Sequence, residues 1–286
     1  MAEERINWHS AFYDAIRLEL EDYIDSLIFD TEYQLTTDPL IIDVLIIKKI
    51  KDVVIEKNIA RIFRATNIIE YKSPEDYLSV QDFHKALAYT HLYCAISKDT
   101  SIEDVTLSFV LTRKPREVIK HVKETCKCTV TNTGEGIYYV KGAIIPIQII
   151  ETKLLSEEDN LWLKDLRGDL STPEFSRVLE ASHPRAKLEY IRAYLHALIN
   201  ANKTSMEELK MKQKESLTTV LKRMGYIDEW EARGEARGVA RGVALGEALG
   251  EARGLRFTAT NLKRSGMSLK QIAEVTGLPI DEINQL

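Results

Sequence analysis

Three residues combine type and spacing in a way that can do chemistry: Asp43, Glu70 and Lys72. Asp43 interrupts the run Leu40–Ile47, which is otherwise apolar and rich in β-branched residues. Such a run predicts a strand buried on both faces, where an ionised carboxylate is costly unless a cation meets it. Glu70 and Lys72 lie in a second predicted strand, Asn67–Ser73, two residues apart and so on one face. Pairing of the two strands as neighbours brings all three side chains to one point. Two carboxylates and the carbonyl oxygen of Tyr71 then make an all-oxygen pocket suited to Mg²⁺ or Mn²⁺. A cation held there polarises a phosphodiester and acidifies a bound water. The Lys72 ammonium orients that water and offsets charge building on the phosphate.

Asp43, an interval, and then Glu70-Tyr71-Lys72 on an adjacent strand resembles the PD-(D/E)XK nuclease superfamily. More closely it is similar to the recombination-promoting nuclease, or transposase-like, branch. The resemblance runs from Trp8 to about Lys153 and again from about Glu229 to Leu286. It implies a restriction-endonuclease-like α/β fold, a mixed sheet flanked by helices, with a helical C-terminal region. The implied activity is a Mg²⁺-dependent DNA endonuclease serving recombination, mobile elements or defence. The superfamily often sets a first-helix glutamate beside the metal, and Glu19 is the residue here that matches. Glu-x-Lys alone carries little weight. Glu151-Thr152-Lys153 also follows an apolar run, yet the strand before it, IYYV, has no acid. The alternative reading is a catalytically silent nuclease-fold scaffold or nucleic-acid-binding protein that assembles through its C-terminal helix. RNA and branched or single-stranded DNA stay open as substrates.

The elements that must position these residues follow from periodicity and turn chemistry. Phe12, Ile16, Leu20, Tyr23 and Leu27 predict an amphipathic helix over 8–27, with Glu19 inside its apolar stripe and Asp14, Glu21 and Asp25 opposite. A short strand is expected over 32–35, a turn over 36–39, and a short helix from about Val53 to Arg64. Ser79 caps a helix reaching Ile96, whose apolar side includes His84 and His91. These read as core or half-buried histidines; the superfamily resemblance implies the other reading, in which His84 or Lys85 touches a phosphate. After a strand over 105–112, Pro115 opens a helix with a basic flank. Arg113, Lys114, Arg116, Lys120 and Lys123 are the candidate phosphate contacts to DNA. His121 with Cys126 and Cys128 falls short of a structural zinc set, and Gly134-Glu135-Gly136 lacks the helix start of a phosphate loop. The segment 137–150 reads as a hairpin, with Pro146 at an edge or bulge.

The division expected is a nuclease-like core over 1–155, a helical region over 156–228, a repeat over 229–256 and a helix-turn-helix-like tail over 257–286. The repeat sets glycine at every fourth position from Gly234 to Gly254. Glycine weakens an isolated helix by about 1 kcal/mol per position, so a partner helix is expected, from a second copy in a homo-oligomer or from another protein, the alternative being a partly helical linker. The tail ends in the acidic PIDEINQL and reads as a packing module rather than a base reader. A net charge of −5 over 286 residues argues against a general polyanion-coating surface, so a basic track must be local. Three cysteines make no disulfide framework, and no apolar run reaches the ~18 residues of a membrane span. The acidic N-terminus lacks signal-peptide character, so a cytoplasmic location without membrane contact is expected.

Overall fold

The computed structural model describes residues 6–31, 44–50, 53–98, 100–185, 189–212 and 254–285. The chain divides into two compact units, Met1–Leu217 and Thr218–Leu286. The first is built on a seven-stranded mixed sheet of order β1-β2-β3-β4-β7-β6-β5. Its strands are β1 (Leu27–Asp30), β2 (Val44–Lys49), β3 (Thr66–Tyr71), β4 (Val105–Leu111), β5 (Thr129–Asn132), β6 (Ile137–Lys141) and β7 (Ile147–Glu151). β2 runs antiparallel to both β1 and β3, β3, β4 and β7 run parallel, and β6 runs antiparallel to both β7 and β5. β4 is buried along its whole length, as a central parallel strand should be, and its two polar residues are hydrogen-bonded, Thr106 to Asn67 and Ser108 to Gln148.

One face of the sheet is covered by α2 (Val80–Ile96) and α3 (Arg116–Glu124). Ile46, Ile68, Leu107, Phe109 and Ile149 meet Phe83, Val118 and Val122 in that core. The other face receives α1 (Trp8–Glu19), where Phe12 stacks on Tyr71 with ring centroids 4.2 Å apart. α1 is buried again on its far side by α4 (Glu157–Lys164) and α6 (Arg192–Ala201). α5 (Thr172–Ser182) and α7 (Lys203–Lys212) complete the helical layer. The helices that follow the sheet thus belong to the same compact unit, with α1 as the shared core between them.

This double burial corrects the one-sided helix expected from sequence. Asp14 is inside, not on a wet face, and its carboxylate accepts the Tyr194 N–H at 3.1 Å near the start of α6. Burial pushes Asp14 up to about 6, with backbone N–H donors opposing the shift. α1 also stops at Glu19. A 3₁₀ segment, Glu21–Ser26, follows it and leads into β1, so Leu27 is a strand residue. The expected strand over 32–35, the turn after it and residues 40–43 of the Asp43 strand lie outside the described residues.

Between β2 and β3 the expected helix is absent from the described residues; only the turn Asn58–Ala60 is helical, as 3₁₀. Long-range polar anchors shape this loop instead. The Asn67 amide accepts from Arg64 N–H at 2.8 Å and donates to the Arg64 and Ile47 carbonyls, while Gln148 donates to the Ile59 carbonyl at 2.7 Å. β5 was not foreseen. Pro146 stands just before the interior strand β7 rather than on an edge, where its missing N–H costs no ladder bond and its carbonyl serves Leu107 N–H. The Gly134–Gly136 segment is a turn. Gly136 has φ +77°, and a Cβ there would lie 2.6 Å from the Glu151 carbonyl oxygen.

In the second unit, helical residues 254–264 join the helices Leu269–Thr276 and Ile280–Gln285. Ala259, Ile272 and Ile283 are its buried centre, whereas Val275 is exposed. A Ser268–Gln271 capping box starts the middle helix, and Gly277, with φ +70°, ends it. The glycine repeat lies outside the described residues except for Gly254. Among the described residues no helix is long and apolar enough to cross a membrane.

Candidate active site

Because β3, β4 and β7 are parallel, their carboxyl ends share one edge of the sheet, which is where open α/β sheets bind ligands. Glu70 is the penultimate residue of β3 and lies beside Phe109 of β4, on the face under α2. Alternation sends Tyr71 to the opposite face, against Phe12, and returns Lys72 to the Glu70 side.

The Lys72 ammonium sits 3.2 Å from Glu70 Oε1 and 3.3 Å from Asp82 Oδ1. Asp82 is the third residue of α2 and belongs to its capping box. Ser79 N–H and Oγ–H donate to Asp82 Oδ2 at 3.1 and 2.7 Å, and Asp82 N–H donates to Ser79 Oγ at 3.0 Å. One carboxylate therefore starts the helix and also faces the lysine. Burial raises the Glu70 carboxyl above its ordinary range, opposed by Lys72. Burial alone would lower the Lys72 ammonium, yet Glu70 and Asp82 outweigh it and hold it above its usual value. For Asp82, burial is outweighed by the Ser79 bonds and Lys72, so its carboxyl is depressed. All three groups keep some solvent access, with side chains 16% (Glu70), 19% (Lys72) and 29% (Asp82) exposed.

The structure thus brings Glu70 and Lys72 together and adds Asp82, which sequence reasoning missed. The signal was present as Ser79-x-x-Asp82, a capping box immediately after a βα junction. Asp43 lies outside the described residues; Val44, the next residue, is directly opposite Glu70 in the β2–β3 pair. Tyr71 is at the end of β3, with its phenol buried on the α1 face and pushed up by that burial.

Glu19 does not join this group. It projects from α1, on the other side of the sheet, and is 3% exposed. Its Oε1 accepts the N–H groups of Trp162 and Leu163 at 2.8 and 3.0 Å, and Lys57 Nζ is 3.0 Å from Oε2. Those amides follow Asn160, whose φ of −139° breaks α4. Glu19 therefore caps the second half of a kinked helix. The comparison motif also separates: Glu151 accepts from Tyr138 Oη–H at 2.9 Å, whereas Lys153 pairs with Asp169 at 2.5 Å.

The five candidate phosphate contacts are all exposed: Arg113 and Lys114 follow β4, and Arg116, Lys120 and Lys123 recur along the outer side of α3. Lys114 Nζ lies 4.9 Å over the Tyr138 ring. Val118, Ile119 and Val122 form the inner side of the same helix. His84 is exposed rather than part of an apolar stripe, and its imidazole meets His121 of α3. Lys85 lies close enough to Glu70 to favour its carboxylate.

Among the described residues no three His, Cys, Asp or Glu side chains are grouped to hold a metal. Glu70 and Asp82 supply hard oxygen donors, the type Mg²⁺ takes, and Mg²⁺ commonly uses only one or two protein carboxylates with water. The donor type therefore fits Mg²⁺. Comparison with protein-family models, curated proteins and solved structures found no match in any of the three.

Proposed function

We propose that this chain is a metal-dependent endonuclease acting on DNA, with Glu70, Lys72 and Asp43 at its centre and Asp82 beside them. The observation that carries the reading is the Glu70–Lys72–Asp82 cluster at the shared carboxyl edge of three parallel strands. The exposed basic side of α3 adds support, since α3 begins five residues after the neighbouring strand β4 ends. Glu70, Asp43 and the Tyr71 carbonyl would hold Mg²⁺ or Mn²⁺, which supplies Lewis-acid polarisation of the phosphate and a more acidic water. Lys72 positions that water and offsets phosphate charge, and Asp82 holds the ammonium in place. Arg113, Lys114, Arg116, Lys120 and Lys123 grip the DNA backbone. The proposal makes one demand on the chain. Directly opposed residues share a face, and Val44 is opposite Glu70, so the backbone before Val44 must leave regular pleating for Asp43 to meet Glu70.

A second reading, a nuclease-like scaffold that does not cleave, is favoured by one specific feature. Lys72 already bridges the carboxylates of Glu70 and Asp82, so the cluster is held together by ion pairs without a metal. Titration with Mn²⁺ separates the two. The nuclease reading expects one site, lost in Glu70→Ala and in Asp43→Ala; absence of Mn²⁺ uptake by the wild-type chain favours the scaffold. The proposal also includes self-association through residues 229–286, read from the mass of the full chain in solution against one ending at residue 228.

A further inference from the structure

His84 on α2 and His121 on α3 are brought together by the fold from 37 residues apart, with Nε2 atoms 2.9 Å from each other and ring planes at 82°. Two imidazole nitrogens at that distance repel through their lone pairs unless a proton or a cation lies between them. Nitrogens bound side by side on one metal at 2.0–2.1 Å are about 2.9–3.3 Å apart, so the observed spacing already matches a chelate. Both rings pack edge-on against Phe83, with centroids 5.6 and 6.3 Å away, which limits their rotation. His84 is exposed and His121 partly so, leaving the outer side open to an ion and its water.

We infer that His84 and His121 form a two-point chelate for a borderline transition-metal ion of the Ni²⁺, Cu²⁺ or Zn²⁺ class, fastening α2 to α3. Imidazole suits these ions and not Mg²⁺, so the site is chemically separate from the carboxylate cluster. Among the described residues no third His, Cys, Asp or Glu completes a group, so water fills the remaining positions. Cys128 is not a ligand here; its thiol is directed at the Cys126 carbonyl. The inference does not rest on the nuclease reading. Its consequence is mechanical: the ion fixes the helix that carries Asp82 against the helix that carries Arg116, Lys120 and Lys123.

The test is NiCl₂ titration of the full chain at pH 7.5, by calorimetry and by thermal melting. One site is expected, and its affinity falls at least tenfold in His84→Ala and equally in His121→Ala. The double variant should bind no worse than either single one, because one imidazole cannot chelate. His91→Ala and Cys126→Ser/Cys128→Ser should bind as the wild type does, and excess MgCl₂ should not compete. His84→Gln, with circular dichroism, guards against a folding defect at this exposed position. No Ni²⁺ uptake, uptake unchanged in both single variants, or uptake that follows the cysteines would overturn the inference.

Discussion

Replacement of Glu19 separates a structural carboxylate from a catalytic one. Both backbone donors, Trp162 N–H and Leu163 N–H, go to the same oxygen, Oε1, while Lys57 faces Oε2. Lys57 also donates to the Asp159 carbonyl, so it keeps a partner when Glu19 is changed. Glu19→Ala orphans two buried N–H groups, each costing about 1–3 kcal/mol, and opens a small void. A loss of about 3–6 kcal/mol is expected. That is a large part of the stability of an ordinary domain. Glu19→Gln retains an oxygen for both amides and loses only the ion pair with a part-exposed lysine. It also removes the cost of burying a charge, which raises the Glu19 carboxyl. A loss of about 1 kcal/mol or less is expected for Gln. Urea unfolding of both variants measures the difference, and metal-dependent plasmid cleavage is assayed on the same samples. Glu19→Gln should cleave like the wild type. A Gln variant that is stably folded and inactive would refute the capping account and return Glu19 to the metal, where sequence reasoning set it.

Two further outcomes are expected. Asp14 is raised from 3.8 to about 6 by burial, so the folded state holds this proton more tightly than the unfolded one. Its contribution is present below about pH 4 and is lost as pH rises through about 6, up to about 3 kcal/mol. Asp14→Asn keeps an acceptor for Tyr194 N–H and should flatten that part of the stability–pH curve; an unchanged curve would contradict the burial. The combined change of Arg116, Lys120 and Lys123 to Ala should weaken DNA binding on any sequence and reduce the slope of log K against log salt by about 2–3. An unaltered slope in filter binding would remove α3 from the DNA path.

The parts of this fold legible in sequence are those set by local pattern. β2 and β3 follow from β-branched runs, and the common face of Glu70 and Lys72 from strand alternation. α2 follows from Ser79. What was illegible depends on partners distant in the chain. Asp14 looks solvent-facing until α6, some 180 residues later, covers it. Leu20, Tyr23 and Leu27 continue a helical spacing beyond the end of α1, because a 3₁₀ turn and a strand start can bury Leu20 and Leu27 and half-bury Tyr23 at the same positions. The loop before β3 has apolar residues enough for a helix but is held open by Asn67 and Gln148. β5, Thr129–Asn132, is a polar edge strand without alternation to betray it. Asp82 is illegible because Ser79-x-x-Asp82 is a purely local helix-start pattern; only the folded βα junction reveals that its second oxygen reaches Lys72.

The measurement that bears most directly on the central proposal is nicking of supercoiled plasmid by the full chain and by Lys72→Ala, with Mg²⁺, Mn²⁺ or chelator. Lys72→Ala should remain folded, since its carboxylate partners are part-exposed and Asp82 keeps its Ser79 bonds. Metal-dependent nicking by the wild type, abolished by chelator and reduced at least a hundredfold in the variant, is the predicted result. Equal nicking by both proteins, or none by a wild-type chain shown to bind DNA and Mn²⁺, would contradict it.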